Sequence, residues 1–136
     1  MKKILKFPKN FLWGSSVSAY QVEGGIENCD WSKFESAGLA CDHYNLYEKD
    51  FNLLKKLNQN AFRFSIEWSR IEPKKGKFNK KEIEHYKKVL LALKKRKIKS
   101  VVTLWHWTNP LWISDLGGWS NKKAIYFFSR YAKLIV

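Results

Sequence analysis

Residues 61–68, AFRFSIEW, alternate without a break. Phe62, Phe64, Ile66 and Trp68 fall on one side of an extended chain, and Arg63, Ser65 and Glu67 on the other, because successive strand side chains point to opposite faces. The apolar side requires a covering layer of helices. The polar side argues against an open doubly wound sheet, whose central strands are apolar on both faces. A row of polar groups facing inward fits a barrel interior or a functional site. Arg63 sharpens the point, since a buried guanidinium without a carboxylate is strongly unfavourable. Glu67 lies four residues along the same strand, about 13 Å away at the usual rise, so the partner acid is expected elsewhere.

Outward from this stretch, two textures alternate. Residues 11–20 (FLWGSSVSAY) read as a first strand whose end is opened by Gly14 and serines. A helix is expected from residue 42 or 43 to 58, with Tyr44, Tyr47, Phe51 and Leu54 as its apolar stripe. Pro73 and Gly76 mark a loop. Asn79 then occupies a cap position with Glu82 three residues on, a capping-box variant, opening a helix that runs to about residue 97. Ile83, Tyr86, Val89, Leu90 and Leu93 form its inner stripe. Residues 100–107 (SVVTLWHW) read as a third strand, and 121–136 as a third helix with Ile125, Phe128, Ala132 and Ile135 buried. Strand and helix alternating three times predicts a parallel sheet with helices packed on it. The expected fold class is α/β of barrel type, incomplete, and residues 1–136 form part of one domain.

Composition narrows the function classes. Of 136 residues, 45% are hydrophobic and 16% aromatic, which excludes a wholly disordered chain. The net charge is +14, from 26 Lys and Arg against 12 Asp and Glu. Only four of the basic residues are arginine, Arg63, Arg70, Arg96 and Arg130, whereas a nucleic-acid reader would use more of that planar fork. Twelve of the 26 fall in residues 74–99, with Lys81, Lys88 and Lys95 repeating every seven residues opposite the apolar stripe. That is the pattern of a solvated outer face, and no aromatics interleave with it as a single-strand binding surface requires. No specific nucleic-acid partner is expected.

The start, MKKILKFPKNF, is basic, but Lys6 and Pro8 interrupt it well short of the apolar region of about 7–15 residues that a secretory signal needs. The uncharged run 100–114 contains His106 and Pro110 and falls short of the roughly 20 apolar residues of a membrane span. A cytoplasmic location without membrane contact is therefore expected, with Cys29 and Cys41 as reduced thiols. No metal-ligand spacing surrounds them.

Polar groups collect at the carboxyl ends of the expected strands, where parallel α/β folds bind ligands. They are Tyr20-Gln21-Val22-Glu23, Glu67-Trp68 and His106-Trp107. Four of the seven tryptophans fall between Trp105 and Trp119. Flat rings beside amide, imidazole and carboxylate groups suit a sugar, with its apolar ring face and rim of hydroxyls. Each residue also has a structural reading: Gln21 as a partner for loop backbone, His106 as a core histidine, the tryptophans as packing.

The segments FLWGSSVSAYQVEGG, ACDHYNLYEKDFNLLKKLNQNAFRFSIEWSRIEP and VTLWHWTNPLWI, followed by GGW, resemble the amino-terminal portion of family 1 glycoside hydrolases, which are β-glucosidases, β-galactosidases and 6-phospho-β-glycosidases. The resemblance covers almost the whole chain, in order. It implies a (β/α)8 TIM barrel, of which this chain holds the first three βα units, and a retaining double-displacement mechanism with no cofactor and no metal. It further implies that Gln21, His106 and Trp107 contact the terminal sugar, and that Arg63 touches the nucleophilic carboxylate. The Asn-Glu-Pro segment that carries the family's acid/base and the Thr-Glu-Asn-Gly segment that carries its nucleophile are both absent from the sequence. Asn109-Pro110 has no glutamate between its members.

The resulting expectation is a truncated or split β-glycosidase with part of the sugar subsite and neither catalytic glutamate. Its ligand would be a β-glycoside or small sugar. Its macromolecular partner would be a separate carboxyl-terminal barrel fragment or, through self-association, another copy. The alternative is a noncatalytic sugar-binding remnant or a basic polyanion-binding protein. The lysine face gives a direct discriminator. Binding to DNA or RNA, followed by fluorescence anisotropy across a salt series, is expected to be weak, indifferent to sequence and steeply lost with salt. Selective binding that persists near physiological salt would favour the alternative.

Overall fold

A computed structural model of the chain describes residues 5–136; the basic beginning of the sequence, residues 1–4, lies outside them. Three parallel strands, β1 (Gly14–Ser16), β2 (Ala61–Ser65) and β3 (Lys99–Thr103), form one sheet in the order β1-β2-β3. The long helices are α2 (His43–Lys56), α4 (Lys80–Lys95) and α6 (Lys123–Ile135), and the short ones are α1 (Ala19–Val22), α3 (Trp68–Ile71) and α5 (Leu111–Asp115). Together they make successive βα units of an unclosed barrel, the expected α/β class.

The alternation of β2 decides the layering. Phe62, Phe64, Ile66 and Trp68 enter one core with Phe51 and Leu54 of α2, Tyr86, Val89 and Leu93 of α4, and Phe127 and Tyr131 of α6. Arg63 and Ser65 are paired in register with Val101 and Thr103 of β3 and so share the opposite face. Val101 is 46% exposed there. Among the described residues the outer edges of β1 and β3 have no strand partner.

Several boundaries differ from the sequence reading. The first strand is only three residues long. The Ser65 hydroxyl accepts the Ala19 N–H at 2.8 Å and turns the chain into α1, so Gln21 stands on a helical turn and not at a strand end. Strand β2 stops at Ser65 because Glu67 caps α3, its carboxylate accepting the Ser69 N–H. Strand β3 ends at Thr103, leaving His106 and Trp107 in the segment beyond it. Asn79 does cap α4, accepting the Lys81 N–H. Glu82 completes no capping box, since its carboxylate accepts the Tyr44 hydroxyl instead.

The buried side of α6 is also rotated from expectation. Ala124, Phe127 and Tyr131 are buried, Phe128 and Ile135 lie at the margin of the core, and Ile125 is 66% exposed. Apolar content alone does not separate the two stripes. Tyr131 decides between them, because its ring stacks on Trp68 and its hydroxyl donates to the Leu104 carbonyl at 2.9 Å.

Gly14 lies opposite Ala61 in the β1–β2 ladder. A Cβ there would stand 2.3 Å from the Ala61 carbonyl oxygen, a backbone atom that cannot swing away. Gly14→Ala is therefore expected to destabilise the chain by about 2 kcal/mol or more, lowering the thermal midpoint by roughly 6–10 °C. Ser16→Ala, at an exposed position of the same strand, is the control and stays within about 0.5 kcal/mol.

Candidate functional site

Arg63 projects from the polar face of β2. Its Nη1 donates to the Val17 carbonyl at 3.3 Å and to His106 Nδ1 at 3.4 Å. A guanidinium can only donate, so Nδ1 must accept, and the ring proton resides on Nε2. Burial and, after it, the Arg63 charge lower the His106 pKa. The imidazole is thus a neutral group with one N–H free to donate. No carboxylate lies within ion-pairing distance of Arg63 among the described residues, and Glu67 is not its partner, in line with the strand geometry.

Gln21 is exposed on α1, and its Oε1 accepts the Ser18 hydroxyl at 2.6 Å. That contact turns the amide nitrogen outward as a donor. Val17, held by Arg63, directly precedes Ser18, so one backbone segment links the two. Trp107 is 61% exposed and takes a left-handed backbone, φ +70°. The structure therefore brings Arg63 and His106 into contact, with Trp107 beside them in sequence, and ties Gln21 to the pair through residues 17 and 18. A separate open cavity of 610 Å³ borders Gln21 and is lined by Tyr20, Trp31, Phe34 and Ala37 among others. Neither Arg63 nor His106 lines it.

Beneath the exposed groups lies a buried polar layer whose burial and pairing sequence reasoning missed. Glu23, Glu67 and Glu72 are each no more than 4% exposed. Glu23 accepts Arg70 Nε at 2.9 Å and the Tyr86 hydroxyl at 2.9 Å, yet burial outweighs both partners and its pKa is pushed up to about 7. Glu67 accepts the Ser69 and Thr108 hydroxyls at 2.7 and 2.9 Å, and burial raises its pKa too. Glu72 accepts Trp68 Nε1, the Gly76 N–H and Arg130. One signal for this layer was legible: Glu67 falls on the polar side of the strictly alternating stretch 61–68, although the strand itself ends at Ser65. Nothing local marked Tyr86, which reads as one more apolar-stripe residue of α4. Cys29 is buried with its thiol pushed up to about 11, Cys41 is exposed, and the two are unbonded. No group of metal-ligating side chains and no helix long and apolar enough to cross a membrane occurs among the described residues.

The sequence profile of Glycosyl hydrolase family 1 matches residues 3–136. The chain belongs to that family. It is 37% identical to Beta-glucosidase A of Acetivibrio thermocellus over 151 aligned positions, covering 99% of this chain and 34% of that protein. It is 33% identical to Beta-glucosidase A of Thermotoga maritima, with 97% and 33% covered. Among solved structures, the AHE enzyme from Alicyclobacillus herbarius superposes with a TM-score of 0.92 at 38% identity, covering 98% of this chain and 34% of that one. A family 1 β-glucosidase from Thermotoga maritima superposes with a TM-score of 0.93 at 32% identity, covering 97% and 33%. The chain spans about a third of the length of the curated relatives it matches. Its three-stranded sheet corresponds to the first part of the family's TIM barrel.

The Arg63–His106 contact has a measurable consequence. Replacing Arg63 by Met removes a positive charge and the donor to Nδ1, so His106 is expected to titrate at higher pH than in the parent chain. An NMR titration of the ring protons reads this directly. An unchanged midpoint would show that the two side chains are not in contact in solution.

Proposed function

We propose that this chain supplies the terminal-sugar subsite of a retaining β-glycosidase, and that both catalytic carboxyl groups come from polypeptide that completes the barrel. The observation that carries the reading is the Arg63–His106 pair: an inward arginine with a neutral histidine as neighbour and no carboxylate within reach among the described residues, in a family 1 chain. In this reading Arg63 contacts the nucleophilic carboxylate once the barrel is complete. His106 donates from Nε2 to a sugar hydroxyl, the Gln21 amide nitrogen donates to another, and the exposed Trp107 ring covers the apolar face of the pyranose.

Retaining hydrolysis requires two carboxyl groups about 5–5.5 Å apart, one as acid/base and one as nucleophile. The chain's own buried glutamates do not fill these roles. Glu23, Glu67 and Glu72 are each taken up by two or more hydrogen bonds from the fold and are closed to solvent. The relatives' names, β-glucosidase, and the castanospermine complex of the Thermotoga maritima enzyme support a glucose-like substrate class. The edges of β1 and β3, open among the described residues, and the exposed Val101 support a completing barrel portion, in the same polypeptide or a separate one, as the partner.

The isolated 136-residue chain is accordingly expected to show no turnover of aryl β-glucosides. Assembled with the carboxyl-terminal barrel portion of a related family 1 enzyme, it is expected to gain activity. In that assembly Gln21→Ala or His106→Ala lowers kcat/KM by about 10- to 100-fold, the scale of one lost hydrogen bond to substrate. Turnover by the isolated chain that survives repurification and vanishes on changing Glu23 or Glu67 would overturn the reading.

A further inference from the structure

We propose that Glu67 and Thr108 form a positioning pair that holds the Gln21 and His106–Trp107 segments in register, an inference that rests on the sugar-site reading only for what those segments bind. The backbone of Trp107 is left-handed, φ +70°, a conformation that a side chain with a Cβ adopts at a cost and keeps only where its surroundings enforce it. The two residues that follow supply the enforcement. Thr108 is 3% exposed and donates its hydroxyl to Glu67 Oε2 at 2.9 Å. Asn109 donates its backbone N–H and its side-chain amide to the Asp30 carboxylate at 2.9 and 2.8 Å, and accepts from Trp105 Nε1 at 3.1 Å. The His106–Trp107 dipeptide is thus pinned on both flanks.

From Glu67 the connection runs to the other sugar segment. Its backbone N–H donates to the Tyr86 hydroxyl at 3.0 Å, and that hydroxyl donates to Glu23, two residues after Gln21. Glu23 in turn accepts Arg70 from α3, the helix that Glu67 caps. The path returns to Glu67 along the backbone of α3, and each hydrogen bond in it joins buried or half-buried groups. Glu67 touches neither Arg63 nor His106 and is 2% exposed, so it acts through Thr108 and not on substrate. A carboxyl group with three donors around it fixes the direction of each of them, and a loop anchored to it loses a rotational freedom that an apolar contact would leave.

The test uses the full chain labelled with 15N, alone or bound to an unlabelled completing barrel portion. Thr108→Val keeps the shape of the side chain and removes the donor; Thr108→Ser keeps the donor. In the absence of sugar, Thr108→Val is expected to shift and broaden the Trp107 backbone and His106 ring signals, while Thr108→Ser leaves them near their original positions. With glucose as the probe, Thr108→Val weakens binding at least fivefold, read on the Gln21 and His106 signals, and Thr108→Ser restores it. Should Thr108→Val misfold, Thr108→Ala is read against the same expectations. Unmoved Trp107 and His106 signals in a folded donor-less variant would overturn the positioning role, as would a serine variant that behaves like the valine one. The absence of any glucose-induced shift in the parent chain would instead overturn the sugar-site reading, and the sugar-free spectra would still decide the positioning role.

Discussion

The carboxylate of Glu67 is the constraint on which the arrangement of this chain turns. It sits where β2 becomes α3, buried, and accepts from Ser69 twice and from Thr108 once. Withdrawing a carboxyl group from water is costly unless donors replace the lost hydration. Two of those donors belong to Ser69, in the turn that Glu67 itself caps, and the third to Thr108, so the carboxyl ties the segment after β3 to the start of α3. Tyr86 of α4 extends the same logic, accepting the Glu67 N–H and donating its own hydroxyl to Glu23. Layers of Phe, Ile and Leu make the chain compact; this polar seam makes the carboxyl ends of its strands specific.

The basic residues divide their labour by chemistry. Every lysine among the described residues is exposed, while all four arginines are half-buried and engaged. Arg63 holds Val17 and His106, Arg70 holds Glu23, Arg96 ties α4 to Glu48 and Asn52 of α2, and Arg130 reaches Glu72. A planar fork with five donors can satisfy several acceptors at once, whereas an ammonium keeps its water. The scarcity of arginine that argues against nucleic-acid recognition thus also picks out the structural clamps.

Much of this was legible in the sequence, and the exceptions share a cause. The alternation of residues 61–68 located the sheet, its two faces and the inward Arg63, since period-two patterning follows directly from strand geometry. The Asn79 cap of α4 and the apolar stripes of α2 and α4 were readable for the same local reason, whereas the Glu82 half of the expected capping box was not realised. The first strand was overextended because the hydroxyl that ends it belongs to Ser65, far along the chain. The face of α6 was misplaced by one position because Tyr131 is fixed by carbonyls of other segments, at Leu104 and Ile66. Of the buried seam of Glu23, Tyr86, Glu67 and Thr108, only the two glutamates stood out in the sequence, and their pairing did not, because its bonds span 19 to 63 residues. Among the site residues, Arg63 and His106 meet as a structural fact; Gln21, His106 and Trp107 were singled out by their place after the expected strands, and only their sugar-contacting roles came from the resemblance.

The lysine coat has a consequence for how copies of this chain behave near one another. Parallel strands with open edges are templates for pairing with a second chain, and β1 and β3 both present such edges among the described residues. With a formal charge of +14 on each copy, mutual approach is opposed before any edge can be reached. That opposition extends only about one Debye length, about 8 Å at physiological ionic strength and about 3 Å in molar salt. The charge therefore opposes edge-to-edge approach of this stretch of chain in dilute buffer, and concentrated salt weakens that opposition.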